Sequence, residues 1–316
     1  MTATLTNPSS ANSLSQHFEV KPIAGRIGAK LKGLDLSADL SDEVIRDIRQ
    51  ALVRYKVIFF REQHLNEAGH IAFAKRFGDV TTAHPTVPSL AGHPEVLDLN
   101  YGRTVARANN WHTDVTFVDR PPLGSVLRAI TIPPAGGDTV WANTVTAYQD
   151  LPEHLRNLAD SLWAVHSNAY DYAAAAIDRS EADQEYRQVF TSTVYESLHP
   201  VVRVHPESGE RILFIGGFVR RFQGLSTTES HDLLRLLQSY VTRLENTVRW
   251  RWKAGDIAFW DNRATQHYAI ADYDDQPRHV QRVTISGDLP VSIDGKNSAA
   301  IKGDASAYNQ QSAIAN

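Results

Sequence analysis

The chain has no cysteine. That absence excludes disulfides, zinc–thiolate sites, iron–sulfur clusters and cysteine nucleophiles together. It also fits a reducing compartment. No apolar run approaches the roughly 18 residues of a membrane span. A one-signed charge is missing too: the formal net charge is −4, which argues against a sequence-independent nucleic-acid binder with a basic face. The stretch Met1–Gln16 is rich in Thr, Ser, Asn and Ala. It has no basic n-region and no apolar h-region, so it does not read as a secretory signal. No Pro/Gly/Ser linker, low-complexity tract or repeat of fixed period interrupts the chain. These absences together predict a cytoplasmic, enzyme-sized protein with neither nucleic acid nor membrane as partner.

The composition that is there, 42% hydrophobic and 22% charged, is that of a soluble globular protein. Residues 1–16 and 293–316 are polar, rich in small residues and without hydrophobic period. They are expected to be a disordered N-terminal tail and a polar C-terminal tail flanking one domain over 17–292.

In the N-terminal part, Phe18–Pro22 and Ala29–Leu34 look extended. Ser41 then caps a helix whose Val44, Ile45, Ile48, Leu52 and Tyr55 share a face. Val57–Phe60 reads as a buried strand, and a helix from Asn66 to Phe77 is expected to close at Gly78. From about residue 111 short strands dominate: Gly124–Ile130, Asp138–Asn143, Val201–His205 and Ile212–Ile215. Helical insertions run from Pro152 to about Trp163 and from Ser226 onward. Val248, Trp250 and Trp252 then alternate with Arg249, Arg251 and Lys253, giving an apolar face and a solvated basic one. The pattern predicts a mainly β protein with α, a jelly-roll-type barrel with helices packed outside.

Chemistry concentrates in Asn109–Phe117. On an extended strand, His112 and Asp114 would point to one side. Far downstream, His267 ends another strand pattern. Two histidines and one carboxylate on one face of a metal form the facial triad of non-haem Fe(II) sites. Alone, a His-x-Asp is weak evidence. A second signal follows in Arg278–Ile285, where Arg278, Val280, Arg282 and Thr284 share a strand face. Two guanidinium groups so near a core histidine either face water or clamp anions bidentately.

These motifs together resemble the taurine dioxygenase family of Fe(II)/2-oxoglutarate-dependent dioxygenases, closest to its alkylsulfatase branch. The likeness spans about residues 18–290. It rests on Trp111–Phe117, Gly136–Trp141, Trp260–Arg263, Gln266-His267 and Arg278-x-x-x-Arg282. The resemblance implies a double-stranded β-helix (jelly roll) with iron held by His112, Asp114 and His267. It implies that Thr139 and Arg278 hold the distal carboxylate of the co-substrate 2-oxoglutarate, and that His84 and Arg282 bind the substrate's anionic group. It implies no catalytic residue beyond the metal ligands. Where taurine-specific members have asparagine four residues before the first iron histidine, this chain has Ala108. A smaller side chain there leaves room for a longer, more apolar substrate, whose tail could lie along Tyr170 and Tyr172.

The implied reaction consumes O2, turns 2-oxoglutarate into succinate and CO2, and hydroxylates the carbon beside an anionic group. An alkyl sulfate ester would then yield an aldehyde and sulfate. Other readings are a taurine-like sulfonate or aryloxyalkanoate dioxygenase, a zinc hydrolase or isomerase, and a non-catalytic jelly-roll metal- or ligand-binding protein. A dicarboxylate clamp at Thr139 and Arg278 has no purpose in the last two. The expected partner is thus a small anionic organic molecule, a sulfate ester or sulfonate, and the resemblance suggests a homodimer or homotetramer. Trp250, Trp252 and Trp260 read as core, His166, His199 and His205 as satisfied polar residues, and Asp261 with Arg263 as a structural pair.

Overall fold

The computed structural model describes residues 15–100, 108–169 and 181–309. β1 (Glu19–Pro22) and β2 (Ala29–Lys32) form a hairpin, and α1 (Asp42–Tyr55) leads into β3 (Val57–Phe60). α2 (Glu67–Lys75) and β4 (Val96–Asn100) precede β5 (Gly124–Thr131) and β6 (Thr139–Asn143). Next come α3 (Thr144–Gln149), α4 (Glu153–Ser161), β7 (Trp163–Ser167) and α5 (Glu181–Phe190). The strands β8 (Glu196–Pro200), β9 (Val202–Val204), β10 (Arg211–Leu213) and β11 (Val219–Phe222) lead to α6 (Thr227–Val241). β12 (Thr247–Trp250), β13 (Ile257–Asp261), β14 (Thr265–Ala269) and β15 (His279–Ile285) follow, then β16 (Val291–Ser292) and β17 (Ala299–Lys302).

The largest sheet has seven strands in the order β1-β2-β3-β13-β5-β15-β4. Its pairs are antiparallel apart from β2 with β3. Strand alternation sends Ile58, Phe60, Val126, Phe259, Val283 and Ile285 to one face, where they pack on Ile48, Leu52 and Phe73 of α1 and α2. Phe59, Leu127, Ala258, Trp260 and Val280 go to the other face, against Trp141, Val248 and Trp250 of the three-stranded sheet β12-β6-β14. Cover on both faces explains why β3, and β13 up to Trp260, are unbroken apolar runs. The sheets do not close into a barrel; the arrangement is mainly β, with helices outside. No described helix is long and apolar enough to cross a membrane.

α1 starts where expected: the Ser41 hydroxyl accepts from Val44 N at 3.4 Å. Other expectations need correction. α2 stops at Lys75, short of Phe77, with Arg76 as its cap. α4 stops at Ser161 because Trp163 already belongs to β7. Helix α5 and strands β7, β8 and β11 were not legible. β7 and β8 bury His166, Ser167, Ser197 and His199, so their hidden faces carry no apolar alternation.

The C-terminal segment departs furthest from expectation. Residues 293–309 fold back onto the domain rather than trailing as a tail. β17 pairs with β8, Tyr308 is buried, and its carbonyl accepts from Thr82 N at 2.9 Å. All four β17 residues are exposed. Its backbone pairs with β8, and no buried face marks it in the sequence. The N-terminal expectation falls on residues 1–14, outside the described residues.

Candidate active site

The inner face of the large sheet presents Val280 and Arg282 from β15, Leu127 from β5 and Trp260 from β13. The smaller sheet offers Thr139 and Trp141 from β6 and His267 from β14 toward the same cavity. His112 and His267 are tied by their backbones, each N–H donating to the other's carbonyl at 3.1 and 2.8 Å. Asp114 is not on a strand, contrary to expectation. The chain turns over 114–117, with Val115 in the left-handed region at φ 54°.

The turn still delivers the carboxylate. Nε2 of His112 and of His267 lie 3.7 and 3.8 Å from Asp114 Oδ1, and ligand atoms of all three lie within 4.8 Å of one another. Long-range bonds hold this geometry. Asn262 Oδ1 accepts from Asp114 N at 2.9 Å, and its Nδ2 donates to the carbonyls of Asp114 and Pro122 at 3.0 and 3.2 Å. Ser125 Oγ donates to Asp114 Oδ2 at 3.0 Å. From β7 and β8, His166 bonds the Thr116 hydroxyl and His199 the Thr116 carbonyl, at 2.9 and 2.8 Å. Asn262→Ala would strip partners from buried backbone groups of this turn. It is expected to cost about 2–3 kcal/mol in a urea titration of the metal-free protein. A loss under about 0.5 kcal/mol would mean that the turn is held without it.

The donor set suits Fe(II). His112 Nδ1 donates to the Asn110 carbonyl at 2.7 Å, which turns an unprotonated Nε2 toward Asp114. Burial lowers both imidazoles, His267 to about 3, so they are neutral ligands at physiological pH. Burial would raise Asp114, but the Arg282 guanidinium, His267, His112 and the Ser125 hydroxyl together outweigh it and hold the carboxyl at about 2. Arg282 Nη1 bonds Asp114 Oδ1, the oxygen that faces the imidazoles. Two neutral nitrogens and one carboxylate oxygen on one side of an open cavity match the facial triad.

The second guanidinium, Arg278, is buried just before β15, and its Nε donates to Gly137 O at 3.1 Å. Gly136 and Gly137 both have positive φ. A Cβ on Gly136 would lie 2.4 Å from Asp272 O, so only glycine fits there. Thr139 is buried beside Arg278 on the cavity wall and accepts from Trp252 Nε1 at 3.0 Å. His84 Nδ1 accepts from Thr86 N and Val87 N, both at 3.1 Å. Burial keeps this ring neutral, lowered to about 3, so its proton sits on Nε2 as a donor.

All seven residues singled out in the sequence line one cavity, of about 760 Å³ including its mouth. The rest of its lining is largely apolar and includes Leu97, Leu99, Val115, Tyr186, Phe190 and Phe218. Ala108 lines the same cavity. Tyr170 and Tyr172 lie outside the described residues. Trp250, Trp252 and Trp260 are buried in the core, although Trp260 also reaches the cavity wall. Away from the cavity, Asp261 pairs with Arg263 at 2.7 Å and with His205 at 2.9 Å, a structural network. The sequence reading missed Asn262, Ser125 and Thr116 as supports of Asp114. Asn262 lies 148 residues from Asp114, and no local pattern links them.

The family model described as taurine catabolism dioxygenase TauD, TfdA family matches residues 19–284. The chain is 58% identical over 281 residues to the alpha-ketoglutarate-dependent sulfate ester dioxygenase of Pseudomonas putida, covering 88% of this chain and 93% of that protein. It is 45% identical over 316 residues to the alkylsulfatase of Acinetobacter baylyi, covering 99% and 97% respectively. A solved structure, described as a putative alpha-ketoglutarate-dependent taurine dioxygenase from Burkholderia xenovorans, superposes with a TM-score of 0.79 at 43% identity. That match covers 91% of this chain and 99% of the other. These enzymes share the jelly-roll fold, and this chain belongs to the TauD/TfdA family of 2-oxoglutarate-dependent dioxygenases.

Proposed function

We propose that the protein oxidatively cleaves alkyl sulfate esters to an aldehyde and sulfate. One observation carries this reading: a metal triad, two buried arginines and an apolar wall share a single cavity. The named activities of the two relatives above point the same way.

In this reading His112, Asp114 and His267 hold Fe(II). The iron, when bound, supplies O2 activation that decarboxylates 2-oxoglutarate to succinate and CO2 and hydroxylates a substrate carbon. Thr139 and Arg278 fix the distal carboxylate of 2-oxoglutarate. Arg282 and the Nε2–H of His84 take the sulfate head, and the apolar wall takes the alkyl tail. Such placement puts the C–H beside the sulfate oxygen where oxidation occurs. The hydroxylated carbon then collapses: its hydroxyl loses a proton, the C=O bond forms, and sulfate leaves with the C–O bonding pair. A neutral His84 suits this role, because it donates to sulfate without adding a second cation beside Arg282.

A cytoplasmic setting belongs to the same reading, as does assembly into a homodimer or homotetramer. Leu158, Leu236 and Ile301 are exposed enough to contribute to such contacts.

The test supplies Fe(II), 2-oxoglutarate and O2 with hexyl sulfate, taurine or an aryloxyacetate in turn. Equimolar succinate and sulfate from hexyl sulfate, with little succinate from the others, is the expected result. Succinate coupled to sulfite from taurine, or to the phenol from the aryloxyacetate, would overturn the substrate assignment.

A further inference from the structure

We infer that Trp252, which does not itself line the cavity, positions the Thr139 hydroxyl as the donor that recognises the distal carboxylate of 2-oxoglutarate. The inference rests on the reading of Thr139 and Arg278 as the co-substrate clamp.

The geometry is specific. Thr139 opens β6, where it pairs with Trp250 of β12 and Ala269 of β14, so its backbone is fixed from both sides. Its side chain is buried on the cavity wall. Behind it, the buried Trp252 aims its indole N–H at Oγ1, at 3.0 Å. An indole nitrogen only donates, so Oγ1 must be the acceptor in this bond. A hydroxyl has one proton, and with a lone pair committed to the indole that proton turns elsewhere. The indole closes off the core side, which leaves the cavity side for the O–H. A β-branched side chain has few χ1 wells to escape into. The hydroxyl is thus set to donate to an anion before one arrives, which lowers the ordering cost of binding.

The bond is more than the obligatory pairing of a buried indole. Trp141 and Trp260, equally buried in the same cluster, have indole N–H groups without a hydrogen-bond partner among the described residues. The fold tolerates such groups here, yet Trp252 is aimed at the Thr139 hydroxyl, on the cavity that Arg278 also lines. The arginine is held from behind in a parallel manner. Its Nε donates to Gly137 O, while Gly137 N donates to Asp272 Oδ1 at 2.8 Å. Each half of the clamp therefore has a dedicated hydrogen bond that orients it.

The test uses full-length protein loaded with Mn(II), which binds ligands without turnover, and calorimetric titration with 2-oxoglutarate or 2-oxobutyrate. The two ligands share the C1 carboxylate and keto group, but 2-oxobutyrate lacks the distal carboxylate. Trp252→Phe is expected to weaken 2-oxoglutarate about 5- to 10-fold, the size of one neutral hydrogen bond, and to leave 2-oxobutyrate unchanged. Trp250→Phe is the control. It removes another buried indole N–H of the same cluster, whose acceptor is Asp256 Oδ2 at 3.2 Å, and should affect neither ligand. In steady-state assays the KM for 2-oxoglutarate should rise while the KM for the alkyl sulfate stays within about twofold.

Equal weakening of both ligands by Trp252→Phe would make Trp252 a general packing residue and overturn the inference. So would no effect of Trp252→Phe in a protein where Thr139→Val weakens 2-oxoglutarate selectively. If neither Thr139→Val nor an Arg278 variant discriminates between the two ligands, the clamp reading fails, and this inference fails with it.

Discussion

Replacing Asp114 by alanine is expected to destabilise the metal-free protein by about 3 kcal/mol, beyond any loss of iron binding. A carboxylate-to-methyl change usually relieves a buried site of a costly charge. Here the buried carboxylate bonds the buried Arg282, which is the largest of the contacts that together keep Asp114 ionised against burial. Taking away one member of such a pair costs more than taking away both. The cycle is therefore completed with Arg282→Met and the double variant, by urea denaturation in the presence of a chelator. The double variant should recover at least half of the Asp114→Ala loss. Additive single effects would mean that the two side chains do not interact energetically, and that the anion-binding reading of Arg282 loses its electrostatic basis. Metal binding gives an independent readout: Asp114→Ala and the double variant should both lose Fe(II), whereas Arg282→Met should retain it.

The second large effect is expected at Arg278. Arg278→Met should raise the dissociation constant for 2-oxoglutarate about 100-fold, the usual consequence of removing one partner from a buried charged contact. The Arg278 side chain is fixed through Nε to Gly137 O, which directs the fork of the guanidinium. Lysine keeps the charge but not the fork, so Arg278→Lys should recover only part of the affinity. At saturating 2-oxoglutarate the turnover of Arg278→Met should lie much nearer wild type than kcat/KM does, since the lost contact lies far from the reacting carbon. A fall confined to kcat, with affinity intact, would sink the assignment. Iron loading, followed in parallel, should not change.

How legible the site was depended on how each residue is held. His112, His267, Thr139, Arg278 and Arg282 stand on or beside strands, and strand alternation placed Val280 and Arg282 on the cavity face correctly. Asp114 does meet the two histidines, but by a different local route from the one expected. A strand was expected, and a turn with Val115 at φ 54° delivers the carboxylate instead. The sequence gives no sign of that turn, because its supports come from Asn262, Ser125, His166 and His199, remote in the chain. The double-faced burial of β3 was readable as an apolar run. β7 and β8 were hidden because their buried faces carry hydrogen-bonded polar side chains, which a hydrophobic pattern scores as loop. Trp252 was read as core, and it is core; its hydrogen bond to Thr139 depends on a pairing that only the folded chain brings about.

The return of the C-terminal segment bears on self-association. β8 carries His199, which supports the turn that presents Asp114, and β17 covers the flank of β8 that β7 does not. Chains cut before β17 would present β8 as a bare edge, with unsatisfied backbone groups open to a strand from a second molecule. The exposed strand thus acts as a guard. Its side chains contribute no core, yet it keeps the sheet that supports the active-site turn from templating aggregation. Limited proteolysis between residues 293 and 298 would remove that guard while leaving every cavity-lining residue in the chain.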